Sequence, residues 1–94
     1  GCLYGFSPQS EQAEIRPNGQ WNTSFIKQEN GKITFYLNGK LTAKEDFTAT
    51  QWPKKIAGTG FSRFKSFGRY TKGKIALQNW YFDVWFRNIK IRKL

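Results

Sequence analysis

Few of the 94 side chains are suited to chemistry. The chain has no histidine and a single cysteine, Cys2. Nucleophilic triads that depend on an imidazole base are therefore excluded, as are zinc sites built from several histidines or thiolates. Without such a base beside it, Cys2 reads as a small inert residue rather than a nucleophile. Six carboxylates remain: Glu11, Glu14, Glu29, Glu45, Asp46 and Asp83. Cleavage of a glycosidic bond needs two of them on either side of the bond, one as acid and one as base or nucleophile. Glu29 falls in a turn, and Glu45 and Asp46 are sequence neighbours that a strand would point to opposite faces. Asp83 has the opposite parity to Phe82 and Val84. No catalytic residue is assigned from this set, and no metal or cofactor is expected.

Charge and aromatic content suggest binding chemistry instead. Sixteen Lys and Arg against six Asp and Glu leave a formal charge of +10, and nine Phe, four Trp and four Tyr make up 18 % of the chain. Such a surface attracts phosphates, acidic polysaccharides or anionic surfaces, and it is also what a merely well-solvated basic protein carries. Arg63, Lys65, Arg69, Lys72 and Lys74 interleave with Phe61, Phe64, Phe67 and Tyr70. That pattern can pair phosphates with stacked bases, so a single-stranded nucleic-acid or other anionic-polymer module is one alternative. No known nucleic-acid motif accompanies it, and the same rings read equally as packing.

The elements that must position these groups are strands. Residues 21–28 form a first strand, Glu29-Asn30-Gly31 turns the chain, and residues 32–37 return with Ile33, Phe35 and Leu37 alternating. Asn38-Gly39 is a strong hairpin signal because a type I′ turn needs positive φ at both central residues. Residues 40–47 continue as a third strand. Residues 48–73, with Pro53 and glycines at 58, 60, 68 and 73, read as a long connection pinned by Phe61, Phe64 and Phe67, with room for one short helix. Residues 74–78 and 81–92 are expected as two more strands, the second with a bulge or strong twist near Arg87-Asn88 where the apolar parity changes. Residues 1–6 make a further candidate strand, and residues 7–20 a polar linker. About six short strands and no long helix predict an all-β antiparallel sandwich. A chain of this length buries only about 60–65 % of its unfolded surface, so the core should be thin. No apolar run approaches the roughly 20 residues that cross a bilayer.

Four stretches in order resemble a known family: Trp21-Asn22-Thr23, then Phe35-Tyr36-Leu37-Asn38-Gly39-Lys40, then Gly73-Lys74-Ile75-Ala76-Leu77-Gln78, then residues 84–92, Val-Trp-Phe-Arg-Asn-Ile-Lys-Ile-Arg. They look like the C-terminal motifs of the 3-keto-disaccharide hydrolase domain family. The resemblance implies a concanavalin-like jelly roll, a carbohydrate ligand and a secreted or periplasmic bacterial protein. The family domain is about twice as long, and its half with the acidic residues suited to the site has no counterpart in residues 1–94. These residues are therefore expected to form either a single β-sandwich domain or the C-terminal half of one. Where the family carries a His after Gly73 and an Asp-His pair after Gln78, this chain has Lys74, Asn79 and Trp80, so the groups that would serve as acid or base are replaced.

What the resemblance implies for this chain is sugar binding with a degenerate or incomplete catalytic site. The residues it points to are Gln78, Asn79, Trp80 and Arg87, around the matched motifs, with Trp52 in the connection. Aromatic faces, planar amides and guanidinium groups are the types that hold sugar rings and their hydroxyls. The competing reading makes Trp21, Trp80 and Trp85 ordinary sheet packing. The expected partners are a carbohydrate, acidic ones included, and a second copy or companion chain to complete the sandwich, because half a sandwich exposes apolar surface and strand edges. A structural, self-assembling β protein is the remaining alternative.

Overall fold

A computed structural model describes residues 1–9 and 11–94. The linker expected over residues 7–20 includes Ser10, which lies outside the described residues. Three strands, β1 (Ser24–Glu29), β2 (Lys32–Leu37) and β3 (Lys40–Asp46), form an antiparallel sheet in the order β1-β2-β3. A short helix, α1 (Trp52–Ala57), and a 3-10 helix (Gly60–Arg63) follow. Regular structure is thus dominated by strands, as expected of an all-β chain. Among the described residues no helix is long and apolar enough to cross a membrane.

Two-residue turns set the register of the sheet. Asn30 and Gly31 have φ of 51° and 75°, and Asn38 and Gly39 have φ of 51° and 81°. Both pairs are the left-handed centre that a type I′ hairpin requires, and Asn-Gly is the dipeptide that adopts it at least cost. β1 pairs with β2 from Ser24↔Leu37 to Glu29↔Lys32 without interruption. Between β2 and β3 the register slips by one residue at Phe35/Tyr36. The slip puts Thr42 and Ala43, which simple alternation would send to opposite faces, both in buried positions. The Thr42 hydroxyl donates to the Phe35 carbonyl at 3.3 Å.

Among the described residues, those buried are Thr42 and Ala43 in β3, Ala13 before the sheet and Trp52 beyond it. Every residue of β1 is exposed, whereas β3 is partly covered. The N-terminal segment lies over β3: Gly1 is packed against Thr42, and Ser7 reaches Glu45. Residues 48–70 then fold round Trp52, which is 4 % exposed and donates its indole N–H to the Gly68 carbonyl at 2.9 Å. Phe6 and Phe47 lie 5.0 and 4.8 Å from the Trp52 ring, and Phe61 stacks on Phe67 at 4.6 Å. The connection expected to be pinned by aromatic rings is pinned by Phe61 and Phe67, while Phe64 stays 52 % exposed.

Three expected strands are absent. Residues 1–6 contribute only an isolated bridge, Leu3↔Ser7. Residues 74–78 and 81–92 belong to no strand and are exposed throughout. Their alternation is not realised as strands, since a strand exists only where a neighbour completes its hydrogen-bond ladder. The chain does change direction where the parity break was expected, at Asn88 with φ of 54°. The radius of gyration, 14.6 Å, exceeds the roughly 12–13 Å of a compact chain this long, consistent with an extended arm.

Candidate functional site

A polar groove of 440 Å³ opens where the linker crosses the turn between β2 and β3, lined by Gln12, Glu14, Arg16, Leu37, Asn38 and Lys40. Asn38 is its hub. The left-handed backbone that makes it a turn residue also frees its amide, which donates to the Glu14 carbonyl and to Asn22 Oδ1, both at 2.8 Å, and accepts from the Thr23 N–H at 2.8 Å. Arg16 donates its backbone N–H to Asn22 Oδ1 at 2.9 Å and its guanidinium to the Trp21 carbonyl at 2.6 Å. Lys40 pairs with Glu11 at 3.6 Å. The groove is therefore walled by amide, guanidinium, ammonium and carboxylate groups held by neighbouring backbone, the inventory that meets sugar hydroxyls as both donors and acceptors.

The main-chain carbonyl of Trp21 is bonded to the groove residue Arg16, and the Trp21 ring, 40 % exposed, carries a second guanidinium. Arg87 Cζ lies 4.1 Å from the ring centroid. Stacking of this kind is worth about 0.5–1 kcal/mol at exposed positions. It draws the C-terminal arm back to the start of the sheet. A second tie lies at the other end of β1, where the Gln28 side-chain amide donates to the Thr71 carbonyl.

The five residues expected to hold ligand are dispersed. Arg87 stacks on Trp21, whose carbonyl bonds the groove residue Arg16. Gln78, Asn79 and Trp80 lie exposed along the arm, with Trp80 70 % exposed and its ring 5.8 Å from Tyr81. Tyr81 has φ of 66°, and the Phe82 N–H donates to the Trp80 carbonyl at 2.8 Å, a tight three-residue turn that projects both rings. Trp52, expected in the connection, opens α1 and is 4 % exposed, and it lines an apolar cavity of 310 Å³ together with Phe6, Phe47 and Phe61. The groove residues Gln12, Glu14, Arg16 and Asn38 were missed as a site. Asn38 stood out only as a turn residue, and no spacing links residues 12–16 to residues 37–40.

Two of the remaining carboxylates, Glu45 and Asp46, are occupied structurally. Burial pushes the Glu45 carboxyl up, but donation from Lys55 at 2.6 Å, the Asp46 N–H at 3.1 Å and Ser7 at 3.1 Å outweighs it and leaves the carboxyl below its ordinary range. The Thr48 hydroxyl and N–H lower Asp46 against a smaller opposing effect of burial. Carboxylates held ionised in this way pin loops and do not donate protons near neutral pH.

Residues 1–92 match the family described as the 3-keto-alpha-glucoside-1,2-lyase-like domain. The chain is also similar to a 3-keto-disaccharide hydrolase of Bacteroides thetaiotaomicron, at 28 % identity over 102 residues covering 98 % of this chain and 35 % of that protein. It thus spans about a third of that relative's length. No solved structure matches.

Proposed function

The chain belongs to the 3-keto-alpha-glucoside-1,2-lyase-like domain family, and from that premise we propose that it is a carbohydrate-binding β domain carrying a degenerate or incomplete catalytic site. The observation that carries this reading is the polar groove lined by Gln12, Glu14, Arg16, Asn38 and Lys40, joined through the Arg16–Trp21 carbonyl bond to a tryptophan that stacks with Arg87 at 4.1 Å. A pyranose presents hydroxyls round its edge and C–H groups on its faces. The groove's amides and charged groups suit the former, and the open part of the Trp21 ring, 40 % exposed, suits the latter. Gln78, Asn79 and Trp80 are assigned as further contacts delivered by the arm. The ligand class is an oxidised or simple disaccharide, as the name of the similar protein suggests. Lys74, Asn79 and Trp80, standing where the resemblance calls for His and Asp-His, support binding without turnover. A secreted or periplasmic location belongs to the same reading.

Calorimetric titration with 3-keto and unoxidised disaccharides tests it. Binding that disappears in Arg87→Ala and in Trp21→Ala, with no hydrolysis product, is expected. No binding of either sugar at millimolar concentration would sink the reading.

The sheet is further proposed as one layer of a jelly-roll sandwich, completed by a companion chain or a second copy. Its support is apolar surface left open: Phe25 and Ile26 on β1 are 56 % and 55 % exposed, and Phe82 and Trp85 on the arm 81 % and 73 %. Solitary monomers that bind no apolar dye, on light scattering and fluorescence, would refute this.

A further inference from the structure

The formal charge is segregated along the chain. Residues 1–47 hold five of the 16 basic residues and five of the six acidic ones and are neutral overall, while residues 48–94 hold the other eleven basic residues against Asp83 alone. Three of the four ion pairs among the described residues use cations of the first region, Lys27, Lys32 and Lys40. The fourth, again among the described residues, joins Lys55 of the second region to Glu45 of the first.

From this we infer that the lobe of residues 52–70 presents a docking face for an acidic polysaccharide, a glycan strand bearing carboxylate or sulfate groups. Lys54, Arg63, Lys65 and Arg69 are exposed on it. They sit on a platform and not on a loose tail. Trp52 is anchored to Gly68, Phe61 stacks on Phe67, and Thr59 caps the 3-10 helix, accepting from the Phe61 N–H while donating to the Ile56 carbonyl. Preformed cations lose little freedom on binding. Arg63 lies over the Phe64 ring, 4.9 Å from its centroid, and a guanidinium is the group whose forked N–H donors match a carboxylate or sulfate.

The same geometry disfavours a single-stranded nucleic acid. Such a ligand uses a succession of open ring faces. Of the four rings interleaved with the cations, Phe61 and Phe67 are stacked on each other and Phe64, 52 % exposed, has Arg63 over its ring, so Tyr70, 75 % exposed, is the most open of them. The choice of a glycan over another polyanion rests on the carbohydrate reading above. The choice of a polyanion does not.

The experiment compares polygalacturonate, neutral dextran and oligo(dT) as ligands of the wild type and of a triple variant, Arg63→Ala, Lys65→Ala, Arg69→Ala. Wild-type affinity for polygalacturonate is expected to fall at least about tenfold as salt rises from about 50 to about 300 mM, with dextran unbound. The variant is expected to lose at least about tenfold at low salt while its circular dichroism and disaccharide binding stay unchanged. Should the triple variant misfold, the exposed pair Lys65→Gln, Arg69→Gln serves with the same criterion at about threefold. Undiminished polygalacturonate binding by a folded variant, dextran binding equal to polygalacturonate, or tighter binding of oligo(dT) would each overturn the proposal. Disaccharide binding that fails while polygalacturonate still binds would overturn the groove and leave this face standing.

Discussion

The sheet and the Trp52 lobe are held by different forces. β1, β2 and β3 are joined by backbone ladders and two Asn-Gly turns, yet β1 is wholly exposed and only Thr42 and Ala43 in the sheet are buried. The lobe has one short helix and a single 3-10 turn, and it closes on stacked rings about a tryptophan that is 4 % exposed. Hydrogen-bond ladders specify register, because each pairing excludes its neighbours, but their net contribution per bond is modest. Ring packing contributes more per residue and specifies less order along the chain. Surface charge follows the same division, since the sheet region pairs its ions and the lobe leaves most of its cations free.

The largest expected effect comes from the lobe. Trp52→Ala removes the central ring and should cost about 3–5 kcal/mol in denaturant unfolding. If the lobe stands apart energetically, hydrogen exchange will rise first in residues 48–70 while β2 amides remain protected. Equal loss of protection in both would show one cooperative unit and erase the distinction. Gly39→Val attacks the sheet from the other side, forcing a β-branched residue into φ of 81°. About 2 kcal/mol of destabilisation is expected, with the β2–β3 amides exchanging fastest.

Glu45 joins the two regions, since it bonds Lys55 of α1 and Ser7 of the N-terminal segment. Glu45→Gln should cost about 1 kcal/mol. Its folded carboxyl and that of Asp46 titrate below their ordinary values. A carboxyl lowered by folding stabilises the native state above its unfolded value and loses that contribution as pH falls through its folded value. Thermal melts should accordingly decline on acidification below about pH 4.5, and less steeply in Glu45→Gln. A melting temperature that rises on acidification would contradict the assignment. The smallest effect is assigned to Lys27→Ala, which breaks the exposed pair with Glu29 at 2.8 Å. Stability should change by no more than about 0.5 kcal/mol, and a larger loss would mean that surface ion pairs hold the sheet more than its ladders do.

Much of the sheet was legible before any coordinates. Asn30-Gly31 and Asn38-Gly39 encode their own left-handed backbone, and the alternation of Ile33, Phe35 and Leu37 marks a strand flanked by both turns. The shorter first turn, two residues where Glu29-Asn30-Gly31 was expected, changes the boundary and not the hairpin. Phe61 and Phe67 were identifiable as pins by type and spacing, but the burial of Trp52 was not, because its partners Phe6, Phe47 and Gly68 are distant in sequence. The groove was invisible for the same reason. Its two walls, residues 12–16 and 37–40, meet through the bonds of Asn38 and Asn22, with the Lys40–Glu11 pair beside them.

Local rules thus determined what each stretch prefers: the two turns, the three strands between and beside them, a basic and aromatic second half, and the absence of an imidazole anywhere. Tertiary structure alone decided which preferences were realised. Residues 74–92 keep their alternating pattern without becoming strands, since a ladder needs a second backbone alongside and no local preference can supply one. Asn38 became the hub of a groove, and Trp52 became core, through neighbours that no spacing in the chain announces.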